Sequence, residues 1–277
     1  MKWIVAFLAG LLAVCLPAAA CDLNVADRGK AVADYVDDML PCLSEMPAGY
    51  WSDARMEAEF LEKVNAERTS RGLAPLRLRP ELVDAARVHS LDMAYNHFFD
   101  HNSPDGRHPF ERVAAFDRSA LIEYTAENIA VVEIVRGQWN LERKAVDKLH
   151  TNLMNSPGHR KNILNPAFTD VAMGVVRTDK GVWITQEFLE LSGTLPQPLP
   201  VRMKPGEALS MKPTLRDWNF QHFEAKRGED AYELLGPKIP KTLHGDFELA
   251  AFSRRPGEKP GSFYTIRLPG PAVTVDG

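Results

Sequence analysis

The sequence predicts an α+β protein, with helices flanking a small antiparallel sheet and a small β module at the C-terminal end. Two observations carry this prediction. Three segments repeat apolar residues at helical spacing, and the segments between and after them alternate or run apolar as strands do. The chain of 277 residues is 45% hydrophobic, which is ample for the packed core of one or two domains.

The first 20 residues are typical of a secretory signal peptide. Lys2 precedes an apolar run at residues 4–16, and three alanines follow at residues 18–20. The run is shorter than the roughly 20 apolar residues that a membrane-spanning helix needs. We therefore expect residues 1–20 to be removed and the protein to be secreted or periplasmic, with no membrane span.

Two cysteines, Cys21 and Cys42, remain after that cleavage. An even pair in an oxidising compartment predicts a disulfide, which would close the N-terminal extension of residues 21–50 into a loop. The alternative is a lipoprotein in which Cys21 carries a lipid and Cys42 is free. Ala18, rather than leucine, stands three residues before Cys21, and this favours ordinary cleavage.

Three helices are predicted from apolar spacing and from the residues that end it. The first covers residues 55–71 and stops at Gly72, and the second opens at Pro80. The third covers residues 141–154 and is halted by Pro157.

An antiparallel hairpin is predicted from residues 171–178 and 182–188, because the turn-favouring segment 179–181 joins two apolar runs. A strand at residues 128–134 is expected beside it, so that helices flank the sheet. Further strands are predicted in the tail at residues 231–235, 247–252 and 262–268.

Proline marks a candidate domain boundary. Eleven of the 20 prolines fall in residues 191–277, beginning with Pro196, Pro198 and Pro200. The sequence thus predicts a first domain at residues 51–192, a linker at 193–200 and a β-rich module at 201–277.

The charge of the chain argues against one class of partner. The formal net charge is −4, and the sequence shows no basic stripe of the kind that neutralises phosphates. We expect no binding to nucleic acid.

Three short polar clusters place a histidine or a glutamate at the edge of an apolar element. They are residues 101–106 with His101, residues 126–128 with Glu127, and residues 155–166 with His159. Residues so placed can converge in one cleft. A cleft with two imidazoles and a carboxylate has the ingredients of a metal site or an acid/base site.

In order and spacing, these clusters resemble those of a bacterial SCP-like member of the CAP superfamily, the cysteine-rich secretory, antigen five and pathogenesis-related proteins. The resemblance covers roughly residues 56–190 and implies an α-β-α sandwich. It also implies a cleft with two histidines, here His101 and His159, and two acidic residues. Glu127 takes the first acidic position, whereas Ser156 stands at the second.

Two neutral imidazoles and a carboxylate suit zinc or another divalent cation, and three protein ligands would leave a position open for water. His101, Glu127 and His159 are therefore the candidate metal ligands and the candidate catalytic residues. No nucleophile elbow accompanies them. The alternative is that the three side chains hydrogen-bond to one another and to backbone, with no metal and no turnover.

Neighbouring polar residues are interpreted structurally. His97 is expected at an exposed helix end, and His89 either in the core or beside the cleft. Asn128 and Asn162 are expected to hydrogen-bond backbone rather than a ligand.

Three functions are left open, of which the first is preferred. The protein could be an extracellular or envelope binding module for a lipid, a peptide or a glycan, which needs no complete catalytic constellation. It could be a metal-dependent hydrolase acting on one of these, with Glu127 as ligand or general base. It could also be a protein–protein scaffold that works through the β module.

Overall fold

The structure is a computed structural model that describes residues 21, 23, 29–133, 141–209, 211–228, 230–234, 236 and 238–277, without the side chains of 141–143. The predicted signal peptide lies outside these ranges. No described helix is long and apolar enough to cross a membrane. The α-helices of the described residues are α1 (Val32–Ser44), α2 (Ala54–Thr69), α3 (Val83–Tyr95), α4 (Pro109–Phe116), α5 (Leu141–Asn155) and α6 (Pro157–Ile163).

The described strands form two sheets. The first contains β1 (Trp51–Ser52), β2 (Arg77–Leu78), β3 (Ala120–Glu133), β4 (Asp170–Arg177), β5 (Gly181–Thr194) and β7 (Thr214–Leu215). The second contains β6 (Arg202–Met203), β8 (Asn219–Arg227), β9 (Asp230–Leu234), β10 (Gly245–Pro256) and β11 (Phe263–Val275). Their orders are β1-β4-β5-β3, with β2 on β4 and β7 on β5, and β6-β11-β10-β8-β9.

Helices cover both faces of the first sheet, which confirms the α-β-α sandwich. Successive side chains of a strand point to opposite faces. On β4, Ala172 and Val176 pack with α1, α3 and α4, whereas Val171 and Val175 pack with α2 and α5. The sandwich therefore has two apolar cores, one on each side of the sheet.

The predicted elements are largely observed, with some bounds shifted. α2 and α5 match their predicted ranges, and the second predicted helix begins with a 3-10 turn at Pro80–Leu82 that leads into α3. The hairpin is formed by β4 and β5. The strand predicted at residues 128–134 is the second half of β3, which begins at Ala120, and Ile134 lies outside the described residues.

The N-terminal extension is folded into the body of the protein. A disulfide joins Cys21 to Cys42 of α1, which confirms the predicted bridge. The first turn of α1 is capped by the second sheet. Asp246 Oδ2 accepts from the backbone N–H of Val32 at 3.0 Å, and Thr274 Oγ1 accepts from that of Ala33 at 3.0 Å.

The segment predicted as a linker is hydrogen-bonded to the sandwich. The backbone N–H of Leu195 donates to the carbonyl of Ser119 at 2.8 Å, and that of Leu199 donates to the carbonyl of Arg118 at 2.8 Å. β11 also lies against β3, since a Cβ added at Gly270 would come within 2.9 Å of the Leu121 side chain. Many contacts thus cross the predicted domain boundary, whereas its proline-rich composition predicts few such contacts.

Candidate functional site

Two glutamates face each other across neighbouring strands at the edge of the first sheet. In the antiparallel register, Glu127 of β3 stands opposite Glu187 of β5, so both side chains leave the same face. Ala172 of β4 continues this row, and its face is the one covered by α3 and α4. Glu187 is fully buried, and only 1% of the Glu127 side chain is exposed.

The Glu127 carboxylate is held at both oxygens. Arg112 donates from Nη2 to Oε2 at 2.6 Å, and His101 Nδ1 lies 2.6 Å from Oε1. Because an ionised carboxylate only accepts hydrogen bonds, the His101 proton at this contact is on Nδ1. The Arg112 side chain is completely buried, whereas the His101 side chain is 48% exposed. The buried charge pair of Arg112 and Glu127 is therefore hydrogen-bonded to a histidine that reaches the surface.

Arg112 also organises the loop that carries His101. The guanidinium donates to the carbonyl of His101 at 2.9 Å, to that of Arg107 at 3.1 Å and to Ser103 Oγ at 3.3 Å. These bonds are possible because α4 begins at Pro109 and places Arg112 in its first turn, directly above the loop. One side chain thus positions both the carboxylate and the histidine that binds it.

The two facing glutamates are in different protonation states. Burial raises the pKa of Glu187 well above its ordinary value, and the nearby Glu127 charge raises it further. Burial acts in the same direction on Glu127, but the His101 hydrogen bond and the Arg112 charge outweigh it and lower that pKa. Two carboxylates this close do not both ionise, so Glu127 is charged and Glu187 is neutral.

A second histidine, His89 of α3, lies on the inner side of the network. Its Nε2 is 3.0 Å from the carbonyl oxygen of Asp100 and 3.8 Å from Glu127 Oε1. Burial, reinforced by the Arg112 charge, lowers the pKa of His89 to about 3, so the ring is neutral. The sequence left open whether His89 lies in the core or beside the cleft, and in the structure it does both.

The opposite face of β3 carries the contacts that hold α6. Asn128 Nδ2 donates to the carbonyl of His159 at 3.1 Å, and Asn162 Nδ2 donates to Asn128 Oδ1 at 2.9 Å and to the carbonyl of Glu127 at 3.3 Å. Both asparagines bind backbone, as expected, and fasten α6 to the sheet edge.

His159 lies on α6, which is fastened to β3 from the side of the sheet opposite to the His101–Glu127 contact. Ser156 is at the N-cap position of α6, where its side chain makes no capping hydrogen bond. Burial lowers the pKa of the half-buried His159, and the charge of His101 lowers it further. The three polar clusters therefore converge on β3, which ends the strand order of the first sheet.

The arrangement does not fit a three-ligand zinc site. Among the described residues, no group of three or more His, Cys, Asp and Glu side chains is placed to hold a metal ion. Both Glu127 oxygens are taken by Arg112 and His101, and the arginine charge disfavours a nearby cation. Weak binding by His101 and His159, with Glu127 orienting the first imidazole, stays a prediction.

Sequence reasoning missed Arg112 and Glu187. The signal for Glu187 is a lone carboxylate within the apolar run at residues 182–189, and the signal for Arg112 is its position among the apolar residues of α4. His97 behaves as predicted, because it is exposed just after α3 with a φ of 56°.

The family comparison covers the part of the chain that forms the sandwich. Residues 61–188 match the model of the CAP family, the cysteine-rich secretory protein family. The chain is 36% identical over 171 residues to the uncharacterized protein YkwD of Bacillus subtilis, an alignment that covers 62% of the chain and 58% of YkwD. It is 30% identical over 134 residues to the uncharacterized membrane protein YlbC of the same bacterium, covering 48% of the chain and 34% of YlbC. The chain thus spans little more than half of one relative and a third of the other.

Solved structures include similar chains. An outer surface protein from Borrelia burgdorferi aligns with a TM-score of 0.43 and 16% identity, covering 51% of this chain and 98% of that one. An extracellular protein containing a SCP domain from Bacillus anthracis aligns with a TM-score of 0.40 and 29% identity, covering 48% and 40%. Residues 61–188 contain all three polar clusters, and over this range the chain matches the CAP family.

Proposed function

We propose that this protein is an extracellular or envelope binding module of bacteria, with a peptide, glycan or lipid held in the cleft of His101, Glu127 and His159. The observation that carries the proposal is the buried pair of Arg112 and Glu127, which ends in the half-exposed His101. Taking both charges out of water costs several kcal/mol per ion, and an apolar pair is often at least as stable. The presence of this buried pair is therefore better explained by the orientation that it imposes on His101 than by a contribution to the stability of the fold.

The exposed part of His101 has the chemistry of a ligand contact. Nδ1 is committed to Glu127, so the ring directs Nε2 away from the carboxylate, and the hydrogen bond to Glu127 raises the pKa of His101. Phe99, in the same loop, is 51% exposed. An exposed imidazole edge and an exposed apolar ring in one loop suit a peptide group or a sugar.

The hydrolase alternative has less support from the geometry. The side chains of Glu127 and Glu187 are buried, so neither carboxylate is open to a substrate as a general base. The scaffold alternative stays a prediction.

The proposal is tested with two probes: insoluble peptidoglycan, which presents glycan and peptide, and phosphatidylcholine vesicles, which present lipid. The fraction of protein that sediments with each probe is measured for the wild type, for His101→Ala and for His244→Ala, a control on the exposed histidine that precedes β10. We expect the wild type to bind one of the two probes. Binding should be about tenfold weaker in His101→Ala, as is usual when a central interface residue is removed, and unchanged in the control. Absence of binding to both probes, or equal binding by all three proteins, would contradict the proposal.

A further inference from the structure

The hairpin of β10 and β11 projects beyond the strand beside it. β8 pairs with β10 only as far as Asn219, which stands opposite Arg254, whereas β10 and β11 stay paired to Pro256 and Phe263. We call residues 254–265 the hairpin tip. Every residue of the tip is exposed except Gly257, which is half-buried.

The charge of the hairpin tip is opposite to that of the whole chain. Arg254, Arg255 and Lys259 are basic and Glu258 alone is acidic, whereas the chain carries a net charge of −4. The tip is therefore a small basic surface on an acidic protein, and it complements an anionic partner.

Aromatic rings accompany these cations. Phe263 is 61% exposed, the most of any large apolar side chain in the described residues, and Tyr264 is 46% exposed. The guanidinium carbon of Arg255 lies 4.5 Å from the ring centre of Trp218 and 5.4 Å from that of Tyr264. Arg255 is thus held between two amphipathic rings by cation–π contacts.

We infer that the hairpin tip docks the protein onto the surface of an anionic lipid bilayer. Tryptophan and tyrosine prefer the headgroup level of a membrane, and basic side chains there attract anionic lipids while their apolar stems stay on the hydrocarbon side. Phe263 has no polar group with which to bind a sugar, but at the end of a projecting hairpin it can enter the acyl boundary. This surface belongs to the second sheet and acts independently of the cleft proposed above.

The test is sedimentation of the full chain with vesicles made of equal parts phosphatidylcholine and phosphatidylglycerol, compared with pure phosphatidylcholine. We expect binding to the mixed vesicles to be at least tenfold stronger. One paired variant, Phe263→Ser with Tyr264→Ser, removes the inserting rings, and another, Arg254→Gln with Arg255→Gln, removes charge. Each is expected to reduce binding about tenfold or more.

One control variant distinguishes docking by the hairpin tip from adhesion of any exposed aromatic ring. Tyr232→Ser alters an aromatic residue of β9 that is 55% exposed in the same sheet, and it should bind mixed vesicles as the wild type does.

Equal wild-type binding to the two kinds of vesicle would overturn the inference, and so would full binding by both paired variants. Binding to soluble dextran sulfate without binding to vesicles would also overturn it, since the tip would then recognise a polyanion rather than a bilayer.

Discussion

Replacing Arg112 by methionine should destabilise the protein by about 5–7 kcal/mol at pH 7. Loss of one partner of a buried ion pair costs about 3–5 kcal/mol, because the remaining charge is buried without compensation. The carbonyls of His101 and Arg107 also lose their donor, at about 1 kcal/mol each. Glu127 would then keep burial but lose its cation, so its pKa would rise and the deficit would be smaller at pH 4 than at pH 7.

A double-mutant cycle isolates the pair itself. Glu127→Gln leaves the Arg112 charge buried and should cost about 3 kcal/mol, whereas the double variant removes both charges. We therefore expect the double variant to be at least about 2 kcal/mol more stable than the sum of the single losses. The assay is urea unfolding followed by tryptophan fluorescence.

Arg55→Met is the matched control, because Arg55 binds Glu59 at 3.3 Å while its side chain is 69% exposed and that of Glu59 is 35% exposed. An exposed pair of this kind contributes about 1 kcal/mol or less. Additive effects of Arg112→Met and Glu127→Gln would refute the coupling of the two charges, and so would a loss in Arg112→Met no larger than that of the control.

Three further outcomes are expected. Burial raises the pKa of Asp92 to about 7, above its value in the unfolded chain, so the stability of the wild type falls as the pH rises toward 7. Asp92→Asn should remove this loss of stability between pH 5 and 8 in urea unfolding, and the same pH dependence in both proteins would contradict the prediction. Zinc titrated calorimetrically at pH 7.5 should give weak heats that are lost below about pH 6, where imidazoles protonate, and equal heats from His101→Ala with His159→Ala would refute the predicted metal binding. A chain ending at Gly193 should melt well below the full chain in circular dichroism, because it lacks the strands that cap α1; an undiminished cooperative melt would instead support the boundary predicted at residues 193–200.

Local patterns in the sequence determined a large part of this structure. The helical spacing in residues 55–71 predicts α2 because an amphipathic helix buries one face wherever it lies in the fold. The turn-favouring segment 179–181 between two apolar runs predicts the β4–β5 hairpin, because a tight turn is also a local property of the sequence. The three polar clusters, with His101, Glu127 and His159, predicted one cleft because each stands where an apolar element ends.

The tertiary structure alone decided what these residues do in the cleft. Glu127 meets Glu187 only through the pairing of β3 with β5, and Arg112 reaches Glu127 only because α4 covers that face. The register between two strands about sixty residues apart cannot be predicted from the spacing of these residues or from the composition. Burial, and with it the division of charge between the two glutamates, arises from long-range packing. For this reason the sequence determined which side chains gather, and the fold decided that Arg112 lies against the Glu127 carboxylate.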